Sequence, residues 1–222
     1  MSNVTVSCRD PFELNALVRV MLELALADIK RQGVNPLVTE TYRPQERQNY
    51  LYCQGRTIAQ CTAKGITSTF AKAYSNPGVG QKTWTLNSVH TTRKAVDVIP
   101  QRVVNGKMTA IYNTKDPQTQ IIIKTMQKYG FEAGANWTTT PDSPHFQVKG
   151  NFTNAFKPGE NTIFVTKAIQ AALNKKINAG LDVDGKWGAA TTVAVNVFRK
   201  YMGYADKTCG LLKKEALKDL FA

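Results

Sequence analysis

Ser88-Val89-His90-Thr91-Thr92-Arg93-Lys94-Ala95-Val96-Asp97-Val98-Ile99 is the stretch from which the fold is read. It holds one of the two histidines in 222 residues and sets an aspartate seven positions after it. Residues 95–99 read as a buried strand ended by Pro100, and the two-residue period of a strand puts Ala95, Asp97 and Ile99 on one face. A carboxylate on the inside of an apolar strand is costly unless it is paired or holds a metal. The second histidine closes Asp142-Ser143-Pro144-His145 and opens another strand-like run, 145–148. Two imidazoles and a carboxylate make a three-ligand set with one coordination position open, the arrangement of a catalytic zinc. His90, Asp97 and His145 are therefore candidate zinc ligands, and Asp142 is a candidate base for the proton of an activated water.

Upstream, Asp10-Pro11-Phe12-Glu13 predicts a helix start closed by a capping box. The apolar residues from Leu14 to Ile29 then recur at helical spacing until Gly33. Residues 36–42 alternate branched and polar side chains and predict a strand that delivers Arg43 at its end. Pro44 opens a short helix ending near Gly55. An arginine at such a junction projects a planar fork of donors into a cleft or forms a surface salt bridge, and both readings stand. Residues 56–87 show little periodicity and read as a long functional loop leading into the central stretch.

Downstream, 103–108 reads as a hairpin turning at Asn105-Gly106. Asp116-Pro117 starts a helix that stops at Gly130. Residues 149–161, rich in Gly, Pro and Asn, have the composition of a linker. Helices are predicted at 163–174, 189–202 and 211–221. The expected architecture is α+β: a small antiparallel sheet flanked by helices over residues 1–149, a linker at 150–161, and a three-helix unit at 162–222.

The formal charge is +13, spread as 18 Lys+Arg against 10 Asp+Glu in residues 1–150 and 11 against 6 in 151–222. Both halves are basic, which favours approach to a polyanion: nucleic acid, anionic lipid or the bacterial wall. No nucleic-acid recognition motif accompanies the charge. The N-terminus lacks a charged region followed by an apolar run, and no stretch is apolar enough to span a bilayer, so a soluble cytoplasmic product is expected. Cys8, Cys53, Cys61 and Cys209 lack metal-type spacing and are expected as free thiols, although Cys53 and Cys61 could pair.

Ser-x-His-x6-Asp at 88–97, followed by Asp-x-x-His-Phe at 142–146, resembles the zinc peptidases that include D-alanyl-D-alanine carboxypeptidases and the L-alanyl-D-glutamate endopeptidases of phage endolysins. Arg43, the run Gln48-Asn49-Tyr50-Leu51-Tyr52-Cys53-Gln54-Gly55-Arg56-Thr57 and the run Gly130-Phe131-Glu132-Ala133-Gly134-Ala135-Asn136-Trp137 extend the resemblance over about residues 37–148. It implies that His90, Asp97 and His145 hold zinc and that Asp142 is the general base. Arg43 would stabilise the oxyanion or position the peptide, with Ser88 catalytic or a structural hydrogen-bonding residue. One departure stands inside the motif: Arg93 occupies a position where the family has glycine. If that glycine supplies a positive φ or a close backbone approach, Arg93 calls for a shifted loop.

Residues 168–174 and Val183-Asp184-Gly185-Lys186-Trp187-Gly188 are similar to three-helix peptidoglycan-binding domains. In that setting Trp187 stacks on a sugar or belongs to the core. A hydrolase followed by a wall-targeting unit is the layout of an endolysin. The resemblance thus implies a monomeric zinc hydrolase of the peptidoglycan stem, cutting between L-alanine and D-glutamate and reaching the wall from the host cytoplasm after release. The alternatives are a D-Ala-D-Ala carboxypeptidase and a non-catalytic wall-binding or virion structural protein.

Overall fold

A computed structural model describes residues 3–148, 155–156, 163–205 and 210–221. The long amphipathic helix, α1 (Ala16–Arg31), starts later than predicted. Asp10 caps only a 3-10 turn, Pro11–Glu13, and Asn15 caps α1 by accepting from the Leu17 N–H. Strand β1 (Pro36–Glu40) leads through Thr41, Tyr42 and Arg43 into α2 (Gln45–Cys53).

The supposed loop 56–87 contains two short helices, α3 (Ile58–Thr62) and α4 (Ser68–Tyr74). Thr57 and Gln60 close a reciprocal capping box on α3, and Thr67 caps α4. A helix of five or seven residues is too short to show an apolar stripe, so only the caps betray it. Tyr52, Cys53, Cys61, Ile66 and Ala71 of α2 to α4 form a small core of their own.

Strand β2 (Ala95–Val104) runs through Pro100 instead of ending there. Pro100 sits opposite Pro36, the last pair with β1, and from Gln101 onward the strand pairs with β3 (Lys107–Ala110). Proline is tolerated because it marks the change of partner, where a missing N–H interrupts little of the ladder. The hairpin turns at Asn105 and Gly106, with φ of 50° and 74°, the pair of positive angles that a two-residue turn needs.

Helix α5 (Pro117–Lys128) is capped by Asp116, and the chain then enters β4 (Glu132–Ala133) and β5 (His145–Gln147). The sheet is antiparallel with order β1-β2-β5-β4, β3 lying against β2. One face of it, with Val96, Val98 and Phe146, packs on α1 and α5 through residues such as Leu22 and Met126. Alternation then turns Asp97, His145 and Gln147 to the opposite face. The α+β expectation for this part of the chain is met.

Beyond it, β6 (Ala155–Phe156) pairs with β7 (Leu212–Lys213), and three helices follow the predicted order: α6 (Ile163–Ile177), α7 (Ala189–Tyr201) and α8 (Lys214–Leu220). The last starts at 214 because residues 212–213 are taken up in the strand pair. Helix α8 also packs against α1, and Phe164 lies 5.6 Å from the ring of Tyr129, so the apolar residues of both parts fall in one cluster. Apart from 155–156, the stretch read as a linker lies outside the described residues, as does Cys209. Cys8, Cys53 and Cys61 are free thiols. Among the described residues no helix is long and apolar enough to cross a membrane.

Candidate metal centre

Three elements bring the predicted ligands together. Ser88 caps the one-turn 3-10 helix Val89–Thr92, its hydroxyl accepting from the His90 N–H at 3.3 Å, which fixes where His90 leaves the chain. Ser88 thus makes a structural hydrogen bond beside the ligand, and it also lines the cavity. Asp97 and His145 lie directly opposite each other on β2 and β5. Strand pairing therefore sets two of the three ligands side by side, and the helical turn delivers the third.

His90 Nε2 lies 3.1 Å from Asp97 Oδ1 and 3.2 Å from His145 Nδ1, and His145 Nδ1 lies 3.3 Å from Asp97 Oδ1. Zinc bonds of about 2.0–2.2 Å in a tetrahedron separate ligand atoms by about 3.3–3.6 Å, so the spacing suits one zinc ion. The ring protons agree with this. His90 Nδ1 stands 2.6 Å from the carbonyl of Thr41, which can only accept, so Nε2 faces the cluster as a bare lone pair. His145 Nε2 stands 3.0 Å from Gln147 Oε1. Two ring nitrogens and a carboxylate oxygen at these distances need a positive charge among them.

Without a metal, the carboxylate and the imidazoles act on one another. Burial works against ionising Asp97, yet the imidazoles of His90 and His145 hold its carboxyl well below the usual carboxylate range. Burial would lower His145, but the hydrogen bond and charge of Asp97, helped by Gln147, raise it above the ordinary histidine value.

Arg43 and Asp142 line the same cavity, of about 240 Å³, together with His90, His145, Lys82 and Trp84. The Arg43 guanidinium donates to Glu40 Oε2 at 2.6 Å and to Gln48 Oε1 at 2.8 Å, and comes within 3.6 Å of Asp97 Oδ2. It is neither the surface arginine nor a free cation. Glu40 also takes Arg47 Nε at 2.5 Å, so one buried carboxylate braces two guanidinium groups. Asp142 is held by its N–H to the carbonyl of Gly134 at 3.0 Å. Burial first, and the charge of Asp97 second, push its carboxyl above the ordinary range.

Arg93 takes up the positive φ itself, at 63°. Its guanidinium pairs with the Glu13 carboxylate and donates to the Glu13 carbonyl at 2.5 Å. Trp187 is half-buried against the C-terminal core, its indole N–H on Thr192 Oγ1 at 3.1 Å.

Glu40, Gln48, Gln147 and the carbonyl of Thr41 were not anticipated. Gln147 had a signal, since it lies two residues past His145 on the same strand face. A backbone carbonyl carries no residue-type signal at all.

Residues 81–148 match the family described as D-alanyl-D-alanine carboxypeptidase. The chain is 25% identical over 144 residues to the peptidoglycan L-alanyl-D-glutamate endopeptidase CwlK of Bacillus subtilis (strain 168), covering 64% of this chain and 77% of that protein. Similar solved structures include the vancomycin-resistance D,D-pentapeptidase VanY in complex with Zn(II), at 23% identity and TM-score 0.35 over 60% of this chain and 71% of that one. Another is the Serratia marcescens L-Ala D-Glu endopeptidase ChiX, at 21% identity and TM-score 0.34 over 67% and 84%. With residues 81–148 matching that family and the His90-Asp97-His145 set assembled, the chain is a zinc metallopeptidase that is similar over that stretch to the D-alanyl-D-alanine carboxypeptidases.

Proposed function

We propose that the chain hydrolyses the stem peptide of peptidoglycan between L-alanine and D-glutamate, as a phage endolysin does. The observation that carries this reading is the His90-Asp97-His145 cluster set beside a cavity that His90, His145, Arg43 and Asp142 line. The similarity to an enzyme named for that bond supports the choice of bond. Zinc held by the three ligands would supply a Lewis acid for the scissile carbonyl and a water of lowered pKa.

Asp142 holds the proton during the reaction and returns it to the leaving amine. Burial and the charge of Asp97 raise the Asp142 carboxyl pKa in the metal-free protein, and the positive charge of bound zinc would act in the opposite direction. Arg43, fixed in place by Glu40 and Gln48, orients the peptide and bears on the negative charge that develops at the carbonyl oxygen. The basic surface and helices α6 to α8, with Trp187, hold the protein to the anionic wall. It acts as a monomer, made in the host cytoplasm and reaching the wall after release.

Mass spectrometry of peptidoglycan digested by the zinc-loaded protein, beside its Asp142→Ala variant, tests the reading. New D-glutamate amino termini, absent with the variant, are expected. Loss of terminal D-alanine alone would replace this reading with a D,D-carboxypeptidase, which the description of the matching family favours. No cleavage by the unmodified protein would remove both.

A further inference from the structure

The amide of Gln147 accepts from His145 Nε2 through Oε1 at 3.0 Å and donates through Nε2 to Glu132 Oε2 at 2.8 Å. The other oxygen of Glu132 takes the indole N–H of Trp137 at 3.0 Å, and the Trp137 ring lies 5.1 Å from that of His145. Glu132 and Gln147 are register partners on β4 and β5. The arrangement is therefore built into the sheet.

An amide is ambivalent: it can offer its oxygen or its NH2 to a neighbour. If Gln147 offered NH2 to His145, Nε2 would become the acceptor and the proton would move to Nδ1, the atom that faces His90 and Asp97. Glu132 removes that choice, because an ionised carboxylate only accepts and so draws the NH2 end of the amide to itself. The carboxylate is in turn held by Trp137, whose N–H only donates. We propose that Gln147 is a positioning residue for the zinc site and that Glu132, through it, keeps the lone pair of His145 on Nδ1. This rests on reading His90, Asp97 and His145 as the zinc ligands.

The polarity of the relay gives a test that packing alone would not reproduce. Zinc affinity is measured by competition with a chromophoric chelator for the unmodified protein and for Gln147→Leu, Glu132→Gln and the double variant Glu132→Gln/Gln147→Glu. Gln147→Leu removes the acceptor, and Glu132→Gln frees the amide to turn; each is expected to weaken zinc by about ten- to a hundredfold. In the double variant a carboxylate at 147 accepts from His145, while the amide at 132 donates to it and accepts from Trp137. Affinity is expected to return to within about threefold of the unmodified protein.

Ring-nitrogen NMR of the metal-free proteins at alkaline pH reads the tautomer directly, and two histidines make the spectrum assignable. His145 is expected as the Nε2–H form in the unmodified and double-variant proteins and as a mixture in Glu132→Gln. The proposal is overturned if Glu132→Gln binds zinc as tightly as the unmodified protein, or if the double variant binds no better than Glu132→Gln. Failure of the unmodified protein to bind zinc would remove the ligand reading and this one with it.

Discussion

Arg93 lays its guanidinium 3.8 Å above the centroid of the Tyr42 ring while its own backbone stands in the left-handed region at φ 63°. The left-handed conformation costs a residue with a Cβ about 1–2 kcal/mol. Stacking on Tyr42 returns about 0.5–1 kcal/mol. The half-exposed pair with Glu13 adds no more than about 1 kcal/mol. The two sides nearly cancel, which explains how an arginine is accommodated there. Arg93→Gly, losing the contacts and the strain together, is expected to leave stability nearly unchanged, and Arg93→Ala, losing only the contacts, to be about 1 kcal/mol less stable than Arg93→Gly. Urea denaturation of both variants checks the order; equal stabilities would mean that the backbone carries no strain.

Gly134 is required for a different reason. A Cβ there would lie 2.7 Å from the Asp142 carbonyl oxygen and 3.1 Å from His145 Cβ. The backbone of the 134–142 loop cannot retreat without carrying Asp142 and His145 with it. Gly134→Ala is expected to cost about 1–3 kcal/mol and to weaken zinc binding, read by thermal melting and a zinc titration. Unchanged zinc affinity would show that the loop moves independently of the site.

Glu40 bridges Arg43 and Arg47 with all three side chains nearly buried. Removing the carboxylate leaves two guanidinium groups without their main counter-charge. Glu40→Ala is expected to destabilise by about 3–5 kcal/mol and, even where it folds, to lower peptidase activity because Arg43 loses one of its two braces. Glu40→Gln, which retains one acceptor, should be intermediate. Chemical denaturation beside turnover of muropeptides separates the two effects.

These residues also show what sequence can carry. His90, Asp97 and His145 were legible because catalytic zinc demands particular residue types, and the two-residue period of a strand fixes which face they share. A positive φ at position 93 was one of two readings that the resemblance left open, and its accommodation was not legible, since Glu13 and Tyr42 reach Arg93 only through the tertiary fold. Glu40 gave no sign, because its partners sit around a strand-to-helix corner that has no fixed period. Helices α3 and α4 lack the length to show a period, and the hairpin at 103–108 was legible while the unbroken run of its first strand through Pro100 was not, because a change of partner leaves no mark on one strand alone.

Asp28 ties α1 to α5: Oδ2 accepts from Lys128 Nζ at 2.8 Å and from the Tyr129 hydroxyl at 3.2 Å, and Arg31 approaches Oδ1 at 3.4 Å. The hydrogen bond from Lys128 is the main cause that holds its carboxyl below the ordinary aspartate value, against partial burial. A carboxylate whose folded pKa lies below its unfolded value, about 3.9, stabilises the fold above that unfolded value. The contribution fades as pH falls through the folded pKa. Because Lys128 is more than a third exposed, solvent screening limits the effect to about 1 kcal/mol. Asp28→Asn is therefore expected to be less stable than the unmodified protein by about that amount at pH 7, with the gap constant down to about pH 5 and closing at lower pH. Denaturation midpoints of the two proteins measured from pH 7 down to about 3 give the answer. A gap that stays open through the acid range would mean that Asp28 stabilises the helix pair through packing of its side chain and not through its charge.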